Sequence, residues 1–205
     1  MNQLTSILAL GAHPDDLELG CGGTLAKLAS QGRRIRAVIF TEGHRGDTDG
    51  YDRAVETREA LAALGVEEVC QHQFVDTRLH ESLNDLIATI ECHMREISPD
   101  RVYTMFDQDR HQDHRAVYHA SMVACRPAPQ ILGYETPSSY PNFVPTHFER
   151  IEDFIEQKVS ALRAHESQSS RHYMQEVKIR SAAHFRGVQV DLDQVEGFIP
   201  YKMIF

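Results

Sequence analysis

Five residues, Ala12-His13-Pro14-Asp15-Asp16, separate a short apolar run, Ile7-Leu8-Ala9-Leu10, from a glycine cluster, Gly20-Cys21-Gly22-Gly23. An apolar run of that length bounded by Gly and Pro reads as a buried strand. The imidazole and two carboxylates therefore fall where a strand has ended and a helix is about to form. In an open α/β sheet that is the edge at which ligands bind. Clustered acids repel and are costly to desolvate. A bound cation would remove that cost, so the stretch points to a metal at a carboxyl edge of a sheet.

The rest of the first half supplies such a sheet. Arg36–Phe40, Val69–Val75 and Arg101–Phe106 read as further strands. Thr24–Gln31, Arg53–Leu64, a segment capped by Ser82 and running to about Ile97, and His111–Cys125 read as helices between them. Strands alternating with helices of 10–15 residues imply a mainly parallel sheet covered on both faces. The second half is less regular: a strand at Gln130–Glu135, a loop at Thr136–Pro145, helices at Ile151–His165 and Arg171–Ala183, and one or two closing strands in Gly187–Phe205. With 205 residues, 41% of them hydrophobic and 25% charged, and with no repeat or composition break, residues 1–205 are expected to form a single α/β domain.

Composition also excludes some roles. A net charge of −9 argues against a nucleic-acid-binding surface. No apolar run approaches the roughly 20 residues of a membrane span, and no secretory signal pattern opens the chain. Cys21, Cys70, Cys92 and Cys125 show no C-x-x-C spacing, which suits reduced thiols and a cytoplasmic setting.

A second dense motif, His111-Gln112-Asp113-His114, follows the fourth strand of this reading. It lies 114 − 13 = 101 residues from His13, yet a parallel sheet can bring two strand ends together. His13, Asp16 and His114 would then form a two-histidine, one-carboxylate set, which suits a catalytic zinc with one open position. Gly20-x-Gly22 invites a dinucleotide-binding reading. That reading fails, because Leu25 holds the third glycine position and acids crowd the turn where a pyrophosphate would sit.

Taken together, Ala12-His13-Pro14-Asp15-Asp16, Gly20-Cys21-Gly22-Gly23-Thr24-Leu25 and His111-x-Asp113-His114 resemble the PIG-L/LmbE-like family of zinc-dependent N-acetylglucosaminyl deacetylases. Arg53-x-x-Glu56, Asp76-x-Arg78-Leu79, Ser98-Pro99-Asp100, His165-x-Ser167-Gln168 and Glu196-Gly197-Phe198 extend the resemblance along almost the whole chain. One departure stands in the first motif, where Leu17 takes the place of the family's common Glu.

The resemblance implies a Rossmann-like domain holding one Zn2+ per chain on His13, Asp16 and His114. It implies hydrolysis of an N-acetyl amide on a small amino-sugar substrate. Asp15 would be the general base, and His111 a protonated stabiliser of the oxyanion. Asp113 would orient a histidine of its own motif. Arg53 would contact substrate, with Arg58 as the fallback. Asp76 and Arg78 would bind sugar hydroxyls or simply form a turn. The resemblance also admits a homo-oligomer. Two other readings share the motifs: an amidase that removes a larger acyl group, and a non-catalytic sugar-binding protein with a vestigial site. No role is expected for His165, and His184 and Glu196 are left open.

Overall fold

A computed structural model describes residues 5–46 and 50–204. The middle of the 42–52 loop and Phe205 lie outside the described residues.

The first apolar run is the centre of the fold. Strand β1, Ser6–Gly11, places Ile7, Leu8, Ala9 and Leu10 in the core with no exposed surface. A strand covered on both faces needs no alternation of polarity, which is why it reads as a continuous apolar run. It pairs in parallel with β2, Arg34–Thr41, on one side and β4, Arg101–Met105, on the other. β3, Glu68–Phe74, continues beyond β2, and β5, Gln130–Tyr134, beyond β4, both in parallel. β7, Val195–Met203, and β6, His147–Arg150, close the sheet in antiparallel pairing. The order is β3-β2-β1-β4-β5-β7-β6. The chain runs outward from β1 to β3, then returns to the far side of β1 at β4. The junction of β1 and β4 is thus the topological switch point, where a crevice opens at the carboxyl ends of the strands. The two His/Asp motifs leave β1 and β4, so this junction brings them together across 101 residues.

Helices α1, Asp16–Ser30; α2, Arg53–Ala63; α3, Leu83–Ile97; α4, Gln112–Ala124; α5, Ile155–Arg163; and α6, Glu176–Val188, cover the sheet. α3 shows how the sequence sets its own packing: Leu86, Ile90, Met94 and Ile97 recur at helical spacing and are all buried. Asp52 caps α2 by accepting from the backbone N–H groups of Ala54 and Val55 at 3.0 and 3.2 Å.

The structure revises several boundaries. α1 begins at Asp16 rather than Thr24, so the first motif itself opens the helix. The glycines that suggest a loop lie inside it because bulky neighbours press on it. A Cβ at Gly20 would fall 2.0 Å from the Tyr134 ring, and one at Gly23 would fall 2.9 Å from Ile151. The helix kinks at Cys21, whose φ of −143° is not helical. β6 lies where no strand is expected, and residues 187–194 are the end of α6 and a loop rather than a strand. The mixed polarity of β3 follows from its place at the sheet edge. All four cysteines are free. No helix among the described residues is long and apolar enough to cross a membrane.

Candidate metal centre and active site

β1 ends at Gly11, and the chain turns through His13, Pro14 and Asp15 before α1 begins. Asp15 takes a left-handed conformation, φ 87°, at the N-cap position of α1. A non-glycine residue there is strained. Its carboxylate makes no capping bond to the helix and lines a cavity of about 290 Å³ instead. Asp16 is fixed by the same turn, because the His13 backbone N–H donates to its Oδ2 at 2.8 Å.

Around Asp16 the two motifs meet. Its Oδ2 lies 3.5 Å from His13 Nδ1, and its Oδ1 lies 3.3 Å from His114 Nε2. Each ring turns its other nitrogen to a second carboxylate. His13 Nε2 is 3.1 Å from Asp113 Oδ2 and 3.2 Å from Asp76 Oδ1. His114 Nδ1 is 3.1 Å from Asp109 Oδ2. These carboxylates are themselves held. Asp113 accepts from the backbone N–H groups of Thr77 and Leu79 at 2.7 and 3.1 Å. Asp109 accepts from the hydroxyls of Thr136 and Ser138 at 2.8 and 2.6 Å and from the His111 N–H at 2.8 Å. A ring nitrogen facing the centre, with the other fixed by a carboxylate, is the arrangement that orients a histidine toward a metal.

His111 packs edge-on to His13, with ring centroids 4.5 Å apart, and stacks on His114 at 4.7 Å. A ring nitrogen of each of His13, His111 and His114 falls within one 4.8 Å cluster, so all three can reach a common ion. His111 differs from the other two. Its Nδ1 accepts the backbone N–H of Asp113 at 3.2 Å, capping α4. That bond places the neutral ring's proton on Nε2.

The electrostatics have one theme. Burial disfavours charge on His13 and His114, yet the carboxylates around them raise both, His114 to about 9 and His13 well above the usual histidine range. Burial likewise works against the charge of Asp16, but His114 and His13 hold it well below the usual carboxylate range. The cluster carries more negative charge than it can keep buried unless positive charge joins it, as the raised pKa values of the two rings reflect. A divalent cation would supply that charge. The donor set, two imidazoles and one carboxylate with fixed orientation, fits such an ion. His111 runs the other way: burial and the neighbouring His13 and His114 lower its pKa. Burial and the adjacent Asp16 push the Asp15 carboxyl up to about 7, against the pull of His165 and Arg53.

The expected substrate contacts separate into two groups. Arg53 and Asp76 line the cavity. Arg53 donates to the carbonyls of Gly43 and Pro14 at 2.7 and 3.2 Å and lies 3.7 Å from Asp15 Oδ2, so it braces the loop that carries Asp15. Arg58 is exposed on α2. It lies five residues beyond Arg53, about 140° around a helix of 3.6 residues per turn, which turns it off the face that Arg53 uses. Arg78 is exposed as well and pairs with Glu81 at 3.1 Å. Asp113 is also placed differently from expectation: its carboxylate orients His13 of the first motif, not a histidine of its own.

Several site residues escaped the sequence reading. Asp109 precedes His111 by two in Asp109-x-His111-x-Asp113-His114, and that alternation was the available signal. Glu18 and His165 form a fully buried pair at 3.2 Å behind the first motif. Gln168, from the His165-x-Ser167-Gln168 stretch, lines the cavity and donates to the Gly46 carbonyl at 2.9 Å. Tyr173 lines it too, and no sequence signal marks it.

A switch-point crevice carrying two oriented histidines and a ring of buried carboxylates defines an α/β protein with a candidate metal centre. The chain belongs to the PIG-L family: the family model described as PIG-L, GlcNAc-PI de-N-acetylase, matches residues 8–125. An uncharacterised deacetylase, YaiS, of Escherichia coli K12 is 52% identical over 173 residues, covering 81% of this chain and 93% of that protein. The diacetylchitobiose deacetylase of Thermococcus kodakarensis is 29% identical over 82% of this chain and 71% of its own length. Among solved structures, the conserved protein TT1542 of Thermus thermophilus superimposes with a TM-score of 0.85 at 26% identity, covering 99% of this chain and 97% of that one.

Proposed function

We propose that this protein is a zinc-dependent hydrolase that removes the acetyl group from an N-acetylglucosamine-type small glycoconjugate. The observation that carries the reading is the convergence of His13 Nδ1 and His114 Nε2 on the two oxygens of Asp16, with Asp15 in the same cavity. Family membership and the deacetylase relatives support the choice of reaction.

His13, Asp16 and His114 would hold the ion, one per chain, and the bound ion would supply Lewis acidity and an activated water. The remaining steps belong to the protein. Asp15, strained at the N-cap and uncommitted to the helix, accepts the proton of the attacking water at its carboxylate. The water oxygen adds to the amide carbon, and the carbonyl oxygen gains the charge. His111 donates its Nε2–H to that oxygen, a contact of the kind worth about 3–4 kcal/mol in related oxyanion sites. The C–N bond then breaks as Asp15 returns its proton to the departing nitrogen, releasing acetate and the free amine. His111 is the weaker candidate for this last transfer. Its Nδ1 is occupied by the Asp113 N–H, so giving up Nε2–H would leave the ring anionic. Asp113 and Asp109 keep His13 and His114 in the required tautomer, and Arg53 holds the Pro14–Asp15 turn.

The test pairs metal content with turnover. Wild-type protein is expected to hold about one zinc per chain and to release acetate from N-acetylglucosamine or a simple glycoside. His114→Ala should lose both. Metal without acetate release from any acetylated amino sugar would sink the deacetylase reading, and no metal after reconstitution would sink the centre.

A further inference from the structure

The metal-facing cavity has a neighbour. A second cavity, also of about 290 Å³, opens beside it, and the two share Leu19, Thr136, Pro137 and Tyr173 as common walls. The further walls are mainly apolar: Ile179, Ala182 and Ala183 from α6, and Val195 from β7. Four of the charged side chains that reach it are closed on one another, and the exposed His172 and Lys178 stand on its wall as well. Arg186 donates to both oxygens of Glu135 at 2.7 Å. Lys158 donates to Glu196 at 2.6 Å and to the Leu19 carbonyl at 2.8 Å. Its apolar walls reward an uncharged apolar group.

Its position relative to the reacting groups says which part of a substrate could enter. None of His13, Asp15, Asp16, His111 and His114 lines it. A chain on the acyl carbon would begin one bond from the carbon under attack, among those residues. A group on the anomeric oxygen begins several bonds away, past the amide nitrogen and two ring carbons.

We propose that this second cavity is a subsite for an apolar aglycone, the O-linked group of the amino sugar whose acetamide faces Asp15. The inference rests on the deacetylase reading above. Tyr173, at the junction of the two cavities, forms the sill over which the aglycone passes, and Ala182 and Ala183 leave the space it fills.

The test compares methyl, propyl and hexyl glycosides of N-acetylglucosamine with the methyl glycoside of N-hexanoylglucosamine, using wild type and Ala182→Phe, an exposed α6 position that lines only the second cavity. Burial of a methylene is worth up to about fourfold in binding. In the wild type kcat/KM should therefore rise at least tenfold from methyl to hexyl glycoside, with no gain for the hexanoyl amide. In Ala182→Phe the hexyl-to-methyl ratio should fall below threefold. Ala182→Leu serves if the larger side chain prevents folding.

Hexyl glucoside, which has no amide, gives a readout independent of turnover. Calorimetry should show it binding the wild type at least tenfold more tightly than methyl glucoside, and Ala182→Phe with no such preference. Acetate release with a flat glycoside series and no hexyl glucoside binding would overturn the subsite and leave the deacetylase standing. A gain for the hexanoyl amide instead would assign the cavity to the acyl group and overturn the proposal. Hexyl glucoside binding without acetate release from any glycoside would overturn both the deacetylase reading and the aglycone assignment that rests on it.

Discussion

Single side chains set the chemistry of this site by what they are prevented from doing. Asp15 stands at a helix N-cap, where a carboxylate normally satisfies the first backbone N–H groups, yet it makes no such bond. Asp15→Asn keeps the shape and removes the base, so zinc content should be unchanged while kcat for acetate release falls by about 10²–10⁴-fold. An active Asp15→Asn would require another base. Asp113 acts one step further back, holding His13 through Nε2 and itself held by two backbone N–H groups. Asp113→Ala should weaken zinc affinity by about 10–100-fold, measured by competition with a chelator, and should restore much of the lost turnover at saturating zinc. Turnover that stays low at full zinc occupancy would give Asp113 a role beyond holding the ring. The two motifs made His13, Asp15, Asp16 and His114 legible because their chemistry is dense in sequence. Asp109 was not, because its partners Thr136 and Ser138 lie in a loop that no pattern in the chain places beside it. The partner of Asp113 was misread for the same reason: spacing shows which residues share a motif, not which motif faces another across the switch point.

At the scale of elements, α1 is the part whose form was hardest to read. Three glycines and a cysteine argue for a loop, and the helix persists because distant residues complete it. At the kink, the Gly23 and Thr24 backbone N–H groups have an acceptor outside the helix. The Glu196 carboxylate, 173 and 172 residues away, accepts from them at 2.9 and 2.7 Å. Lys158 neutralises that carboxylate while fastening the Leu19 carbonyl. The kink thus has its own N-cap, supplied by β7 and α5, and the first turn that carries Asp16 is aimed by it. Glu196→Ala would leave two N–H groups without an acceptor and the buried Lys158 ammonium without its counter-charge, at a cost of about 3–5 kcal/mol. Pairing Glu196→Gln with Lys158→Met keeps an acceptor and removes the charge, and should recover most of that loss in urea denaturation. A cost under about 1 kcal/mol for Glu196→Ala would show that the kink holds without this cap. By contrast, β2 and α3 were readable within a residue or two, since their burial follows from local periodicity alone. β6 escaped because four partly buried residues at a sheet edge carry almost no pattern.

The whole molecule is a parallel sheet finished by two antiparallel strands, and that finish needs fastening. Parallel strands are buried under helices on both sides, whereas β6 is a short edge strand paired only to β7. Glu149 on β6 supplies a tie. Its carboxylate accepts from Lys27 of α1 at 2.8 Å, from Arg101 of β4 at 3.2 Å, and contacts His147 at 3.2 Å. Residues 27, 101 and 149 thus meet on one side chain, linking the first helix, the middle of the sheet and its last edge. Burial alone would raise the Glu149 pKa; the His147 contact and the two cations instead hold it down, from 4.5 to about 2. A folded-state pKa below the unfolded value gives stability that is fully present above about pH 4.5. It is lost as pH falls toward about 2, because the unfolded chain takes up the proton first. The shift corresponds to at most about 3 kcal/mol at 1.36 kcal/mol per pKa unit. Glu149→Gln should therefore be less stable than the wild type by about 2–3 kcal/mol at pH 7 in urea denaturation. The gap should be undiminished at pH 5, shrink between pH 4.5 and 3, and close near pH 2. A gap that stayed constant down to pH 3 would mean that the tie works through shape and neutral hydrogen bonds, and that charge at the sheet edge contributes nothing to holding β6 against the body of the fold.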